Sequence, residues 1–195
     1  QALQNAQQQG ICEVITLPNA DLGSIMRVFA TKPVAVFHYA AHANDYELLL
    51  SESSTLHSRG LAEYLGQQNS LQLVVLNACS TKGHVENLIK NGVKAIIATS
   101  NLINDQIAVE FAYEFYLYLG LGKSIFFAFN QYEARQKIEG RKPEEFYLPA
   151  EDRALFWKGK PDNTDVEIFP WFHSEIDEVY LKWNLADASQ NPLFG

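Results

Sequence analysis

With 195 residues, 47% of them hydrophobic and 12% aromatic, the chain can bury one compact core without disulfide staples. Its net charge of −8 argues against binding nucleic acid through phosphates, and it carries neither a basic-then-apolar leader nor an apolar run of about 18 residues, so no membrane partner is expected. The two cysteines, Cys12 and Cys79, fit a reducing cytosol better than a secreted scaffold, which predicts a cytoplasmic location.

In chain order, the glutamine-rich start (Gln1 to Gln9) has little to bury and reads as an edge helix or a frayed lead-in. Ile11 to Pro18 alternates apolar and polar residues and predicts a strand closed by Pro18, after which Asn19 or Asp21 can cap a helix running to about Ala30. Lys32-Pro33 launches a buried strand, Val34 to His42. Tyr46 to Ser51 predicts a strand or hairpin arm, His57 to Gly60 a turn, and Leu61 to Gln67 a short helix. A second buried strand, Leu71 to Cys79, is followed by a helix from Gly83 to Lys90 that Asn91-Gly92 ends, then by a third buried strand, Val93 to Ser100.

The helix Asp105 to Leu119 presents Ala108, Phe111, Ala112, Phe115 and Leu119 at helical spacing, a stripe that packs on a sheet. A further helix, Lys123 to about Glu139, follows the break at Gly120-Leu121-Gly122. Gly120 to Ser124 superficially resembles a phosphate-binding loop, but Leu117 stands where the first glycine is required and the stretch follows a helix, so no nucleotide cofactor is expected. Strand and helix alternate throughout, which predicts an α/β fold with a mostly parallel sheet covered on both faces.

Beyond Gly140 the pattern changes. Residues 1–143 hold 12 acidic and 11 basic residues, while 144–195 hold 11 acidic and 4 basic ones together with nine large aromatic residues from Phe146 to Trp183. Two regions follow: a core over 1–143 and an acidic, aromatic extension over 144–195 that packs on the core or leads to a further domain. The apolar finish Asn191-Pro192-Leu193-Phe194-Gly195 suggests a domain cut from a longer protein.

The two runs Val34 to His42 and Leu71 to Cys79 each end in a reactive side chain. As parallel neighbours they deliver a histidine and a cysteine to the same sheet edge, where the loops of open α/β sheets collect ligands and catalytic groups. Of the two histidines, His42 lies past its strand, whereas His38 sits four residues deeper and suits an internal, hydrogen-bonded role.

These residues resemble a known family. His38-Tyr39-Ala40-Ala41-His42-Ala43 is similar to the His-Phe-Ala-Gly-His-Gly signature of the CHAT domains, caspase-like cysteine peptidases of clan CD, and Leu76-Asn77-Ala78-Cys79-Ser80-Thr81 is similar to their Leu-Ser-Ala-Cys-Glu-Thr signature. Gly92 to Ser100, Asn104-Asp105-Gln106 and Gly122-Lys123-Ser124 follow in the family's order, so the likeness covers roughly Gly10 to Arg135. Ala41 and Ala43 stand where the family has glycines, and alanine there calls for a backbone without positive φ. The resemblance implies a caspase-like three-layer sandwich with a mostly parallel central sheet flanked by helices, and it makes the second histidine, His42, the catalytic one.

A free thiol titrates near 8.5, so Cys79 needs His42 to take its proton. The backbone N–H groups of Ala43 and Cys79 are the candidates for an oxyanion hole, while Ser80 and Thr81 are expected to cap the next helix, whose dipole would lower the thiol pKa further. Related peptidases of the clan, separases included, carry an acidic residue facing the first specificity pocket at the place of Asp105, which implies a preference for Arg or Lys. Asp105 equally suits a helix cap, and both readings stay open. Asp45, beside Asn44, is a weaker pocket candidate that also fits a turn. His57 and His84 form no zinc spacing with Cys79, so no metal is expected.

Three functions compete. The favoured one is a cysteine endopeptidase that cleaves a protein partner as a regulated effector in bacterial signalling or defence, controlled by an adjacent regulatory domain or partner protein. Against it stand a catalytically silent interaction module and a small-molecule protein of flavodoxin-like topology. Intact His42 and Cys79 favour the first over the second, and the absence of a glycine-rich phosphate loop counts against the third.

Overall fold

A computed structural model describes residues 1–40, 47–51, 54–78, 81–100, 103–142, 145–146 and 169–189. In chain order the elements are α1 (Gln4–Gln8), α2 (Leu22–Thr31), β1 (Val36–Tyr39), β2 (Glu47–Ser51), β3 (Ser54–His57), α3 (Ser58–Gly66), β4 (Leu73–Leu76), α4 (Lys82–Lys90), β5 (Ala95–Thr99), α5 (Asp105–Gly120), α6 (Ile125–Glu139), β6 (Trp171–Glu175), a 3-10 turn (Glu178–Lys182) and α7 (Leu185–Ser189). The main sheet has the order β1-β4-β5-β6, and β2 and β3 form a separate antiparallel hairpin. β4 pairs in parallel with both β1 and β5, and β6 pairs antiparallel with β5.

Strand alternation divides the core into two layers. Leu73, Val75, Ala95 and Ile97 face Phe111, Phe115 and Leu119 of α5 and Ala128, Phe129 and Tyr132 of α6. Val74, Leu76, Ile96 and Ala98 face Ile25 of α2, Leu61 and Leu65 of α3, and Val85 and Leu88 of α4. Because both faces are covered, every residue of β4 and β5 is buried, which explains why these strands read as continuous apolar runs. The result is the helix–sheet–helix sandwich, mostly parallel in its centre, that the strand–helix alternation predicts.

Local chemistry sets the helix ends. Asp21 accepts the Ser24 N–H at 2.6 Å while its own N–H reaches the Ser24 hydroxyl at 3.1 Å, a reciprocal capping box at the start of α2. Ser124 caps α6, and Gly140, at φ 67°, ends it in the left-handed region. Gly66 closes α3 against the end of α4 so tightly that a Cβ there would stand 1.9 Å from the Asn91 carbonyl oxygen.

Two sequence-based expectations for these elements differ from the structure. The segment after Ile11 forms no strand: its backbone pairs with no other among the described residues, and Val14, Ile15 and Leu17 are exposed. Alternation specifies two faces but supplies no partner edge. His57 to Gly60 is no turn, since His57 pairs with Glu47 as the last residue of β3 and α3 starts at Ser58. The chain beyond Gly140, whose composition gives no strand period, contributes β6 to the central sheet, with Trp171 buried and stacked on Phe111 at 4.5 Å between ring centroids. Among the described residues no helix is long and apolar enough to cross a membrane.

Candidate functional site

β1 and β4 run in register, Val36 opposite Leu73 through Tyr39 opposite Leu76, and the Asn77 N–H extends the ladder to the Tyr39 carbonyl at 2.9 Å. In sequence, His42 and Cys79 each stand three positions beyond the last paired residues, Tyr39 and Leu76. His42, Ala43, Asp45, Cys79 and Ser80 themselves lie outside the described residues. The frame on either side of Cys79 is described, and it is tightly held.

Asn77, nearly fully buried, donates from Nδ2 to the Ala108 carbonyl of α5 at 2.8 Å and accepts the Trp171 indole N–H at 3.1 Å. Both polar ends of the amide are thus used, which a buried polar group requires. On the far side, Thr81 donates to the Leu76 carbonyl at 3.1 Å and Thr99, the last residue of β5, donates to the Ala78 carbonyl. The two hydroxyl oxygens stand 3.0 Å apart, and the Thr99 N–H reaches the Thr81 oxygen at 2.9 Å. Thr81 therefore does not cap α4 with its side chain, contrary to expectation: its hydroxyl is committed to the strand ends. The Asn77 side chain is thus fixed to α5 and β6 and the Ala78 carbonyl to β5, while Thr81 holds the Leu76 carbonyl.

A cavity of about 530 Å³ opens where β1 and β4 end, lined by His38, Ala40, Asn77, Ala78 and one stripe of α5 that includes Asp105, Ala108, Ala112 and Tyr116. Asp105 is the first residue of α5, but the cap is Asn104, whose side chain accepts the Gln106 N–H at 2.8 Å. The capping explanation for Asp105 falls away, and its exposed carboxylate lines the cavity.

His38 faces α5 from β1, its Nδ1 2.8 Å from the Tyr116 hydroxyl. Burial pushes the imidazole down to about 4 and the Tyr116 phenol well above its usual value, so both are uncharged at neutral pH. His57 is exposed at the end of β3 and His84 is buried on α4. Among the described residues no group of three or more His, Cys, Asp or Glu side chains is arranged to hold a metal.

The residues that brace the Cys79 segment escape sequence reasoning, although a signal exists: Asn77, Thr81 and Thr99 are polar residues at the ends of otherwise apolar runs, where a buried polar group must find a partner.

Comparison with curated proteins finds no match. The comparison with protein families does, and it runs through β1, β4, β5, α5 and α6: residues 1–157 match the CHAT domain, so the chain belongs to the CHAT domain family, whose fold is caspase-like.

Proposed function

We propose that this CHAT domain is a cysteine endopeptidase in which His42 is the general base and Cys79 the nucleophile. The observation that supports the reading is the register of β1 and β4, adjacent parallel strands whose last paired residues, Tyr39 and Leu76, each precede His42 and Cys79 by three positions in sequence. His42 takes the thiol proton, and the thiolate attacks the scissile carbonyl carbon. The backbone N–H groups of Ala43 and Cys79 receive the oxyanion. His42 then passes the proton to the departing amine, leaving a thioester that water, activated by the same imidazole, hydrolyses.

Asp105 provides a negative charge in the cavity for an Arg or Lys side chain before the scissile bond, with Asp45 as a second candidate for the same pocket. The core over 1–143 carries the chemistry, and the extension over 144–195 braces it, which the Trp171–Asn77 hydrogen bond supports. A thiol nucleophile suits a reducing compartment such as the cytoplasm. The substrate is a protein partner, in bacterial signalling or defence, and an adjacent domain or partner protein governs access.

The test is turnover of arginine-containing peptides by the chain and its variants. Cys79→Ala and His42→Ala each lower cleavage by about a hundredfold or more with the fold retained, and Cys12→Ala leaves it nearly unchanged. Cleavage in Cys79→Ala above about one part in a hundred overturns the assignment of the nucleophile.

A further inference from the structure

His38 is half-buried, and it lines the cavity. Its Nδ1 is occupied by Tyr116, and the tautomer follows from what each group needs. The Tyr116 hydroxyl has no partner but His38 among the described residues. If it accepted from Nδ1–H, its own buried proton would be orphaned, at a cost of about 1–3 kcal/mol. Donation from the phenol to Nδ1 satisfies it and leaves the ring proton on Nε2. Among the described residues no group accepts from Nε2.

The cavity also has a direction. Asp105 and Tyr116 are eleven residues apart on one stripe of α5, which is about 16 Å along the helix axis. Alanines 108 and 112 lie between them as a low floor. That length matches about five residues of extended peptide at roughly 3.3 Å each. One end offers a carboxylate and the other a neutral imidazole donor.

We infer that His38 is a substrate-binding residue, donating Nε2–H to a carbonyl or hydroxyl oxygen of a peptide lying along α5, and that Tyr116 is the positioning residue that fixes the tautomer. This rests on the peptidase reading and adds a second recognition point to it, at the opposite end of the cavity from Asp105.

The experiment separates the two claims by measuring binding without cleavage. The full chain carrying Cys79→Ala is titrated by fluorescence anisotropy with fluorescein-labelled alanine–serine peptides that each contain one arginine. Wild-type Cys79 is probed in parallel with an arginine-directed acyloxymethyl ketone. Adding His38→Phe weakens the Kd about three- to tenfold, the span of one neutral hydrogen bond. His38→Gln, whose amide nitrogen replaces Nε2, restores it to within about twofold, and Tyr116→Phe weakens it while thermal unfolding shows a folded protein. Equal affinity in the folded His38→Phe and parent chains overturns the inference, because a purely structural histidine alters unfolding and leaves Kd alone. Labelled Cys79 with no peptide binding overturns the inference and leaves the peptidase reading standing. Neither labelling nor binding overturns both.

Discussion

The indole N–H of Trp171 donates to the side-chain oxygen of Asn77 at 3.1 Å, tying the C-terminal strand to a residue two positions before Cys79. Trp171 is also stacked on Phe111 and pairs through its backbone with Thr99. The same residue therefore touches α5, β5 and the end of β4. Trp171→Phe keeps an aromatic ring in the core but leaves the Asn77 oxygen buried without a donor, which is expected to cost about 1–3 kcal/mol. Urea unfolding measures that loss, and the rate of Cys79 labelling is expected to fall further than stability alone explains.

Asp105→Asn separates recognition from helix stability. Because Asn104 caps α5, unfolding is expected to move by less than about 0.5 kcal/mol. Turnover of Arg and Lys peptides is expected to fall at least about tenfold, or about 1.4 kcal/mol, with uncharged peptides spared. Equal loss on all peptides would remove Asp105 from the specificity pocket.

His38 gives stability a pH dependence of known sign. Its folded value is about 4, against about 6.5 in an unfolded chain. Between these values the unfolded chain binds more protons, so folded stability rises with pH across that window and is lost as pH falls from about 6.5 toward about 4. The full effect approaches roughly 3 kcal/mol. Urea midpoints at two pH values, one near each end of the window, are expected to differ more for the wild type than for His38→Gln. Identical differences would show that His38 is not held neutral by burial.

Gly66→Ala tests how closely α3 and α4 approach. A Cβ 1.9 Å from the Asn91 carbonyl meets backbone, which cannot step aside as a side chain can. The expected cost is about 3 kcal/mol, seen as a lowered Tm. An unchanged Tm would mean that the two helix ends separate freely.

Elements with both faces buried were readable from the amino-acid sequence, because a strand such as Leu73–Leu76 has no solvent side and so no polar residue. Helix α5 was equally readable from its spacing of Phe111, Phe115 and Leu119. Ile11 to Pro18 and β6 fail in opposite directions for one reason. Pairing depends on a partner distant in sequence: the first segment alternates well but pairs with no strand among the described residues, whereas Trp171–Glu175 has mixed polarity yet finds β5. At the site, the order of the two strands was legible from Val34 to His42 and Leu71 to Cys79. The bracing was not, since Thr81 and Thr99 find each other only through the fold, and the cap of α5 fell one residue earlier than Asp105.

The central claim is that Cys79 is a nucleophile activated by His42. An irreversible probe accumulates product even when turnover is slow, so it reports a nucleophile at a site of low activity. Intact-mass and peptide mass spectrometry after incubation with an arginine-directed acyloxymethyl ketone is expected to show one adduct, on Cys79, that is absent in Cys79→Ala and strongly reduced in His42→Ala. An adduct on Cys12 instead, or equal labelling of Cys79 with and without His42, would contradict the account.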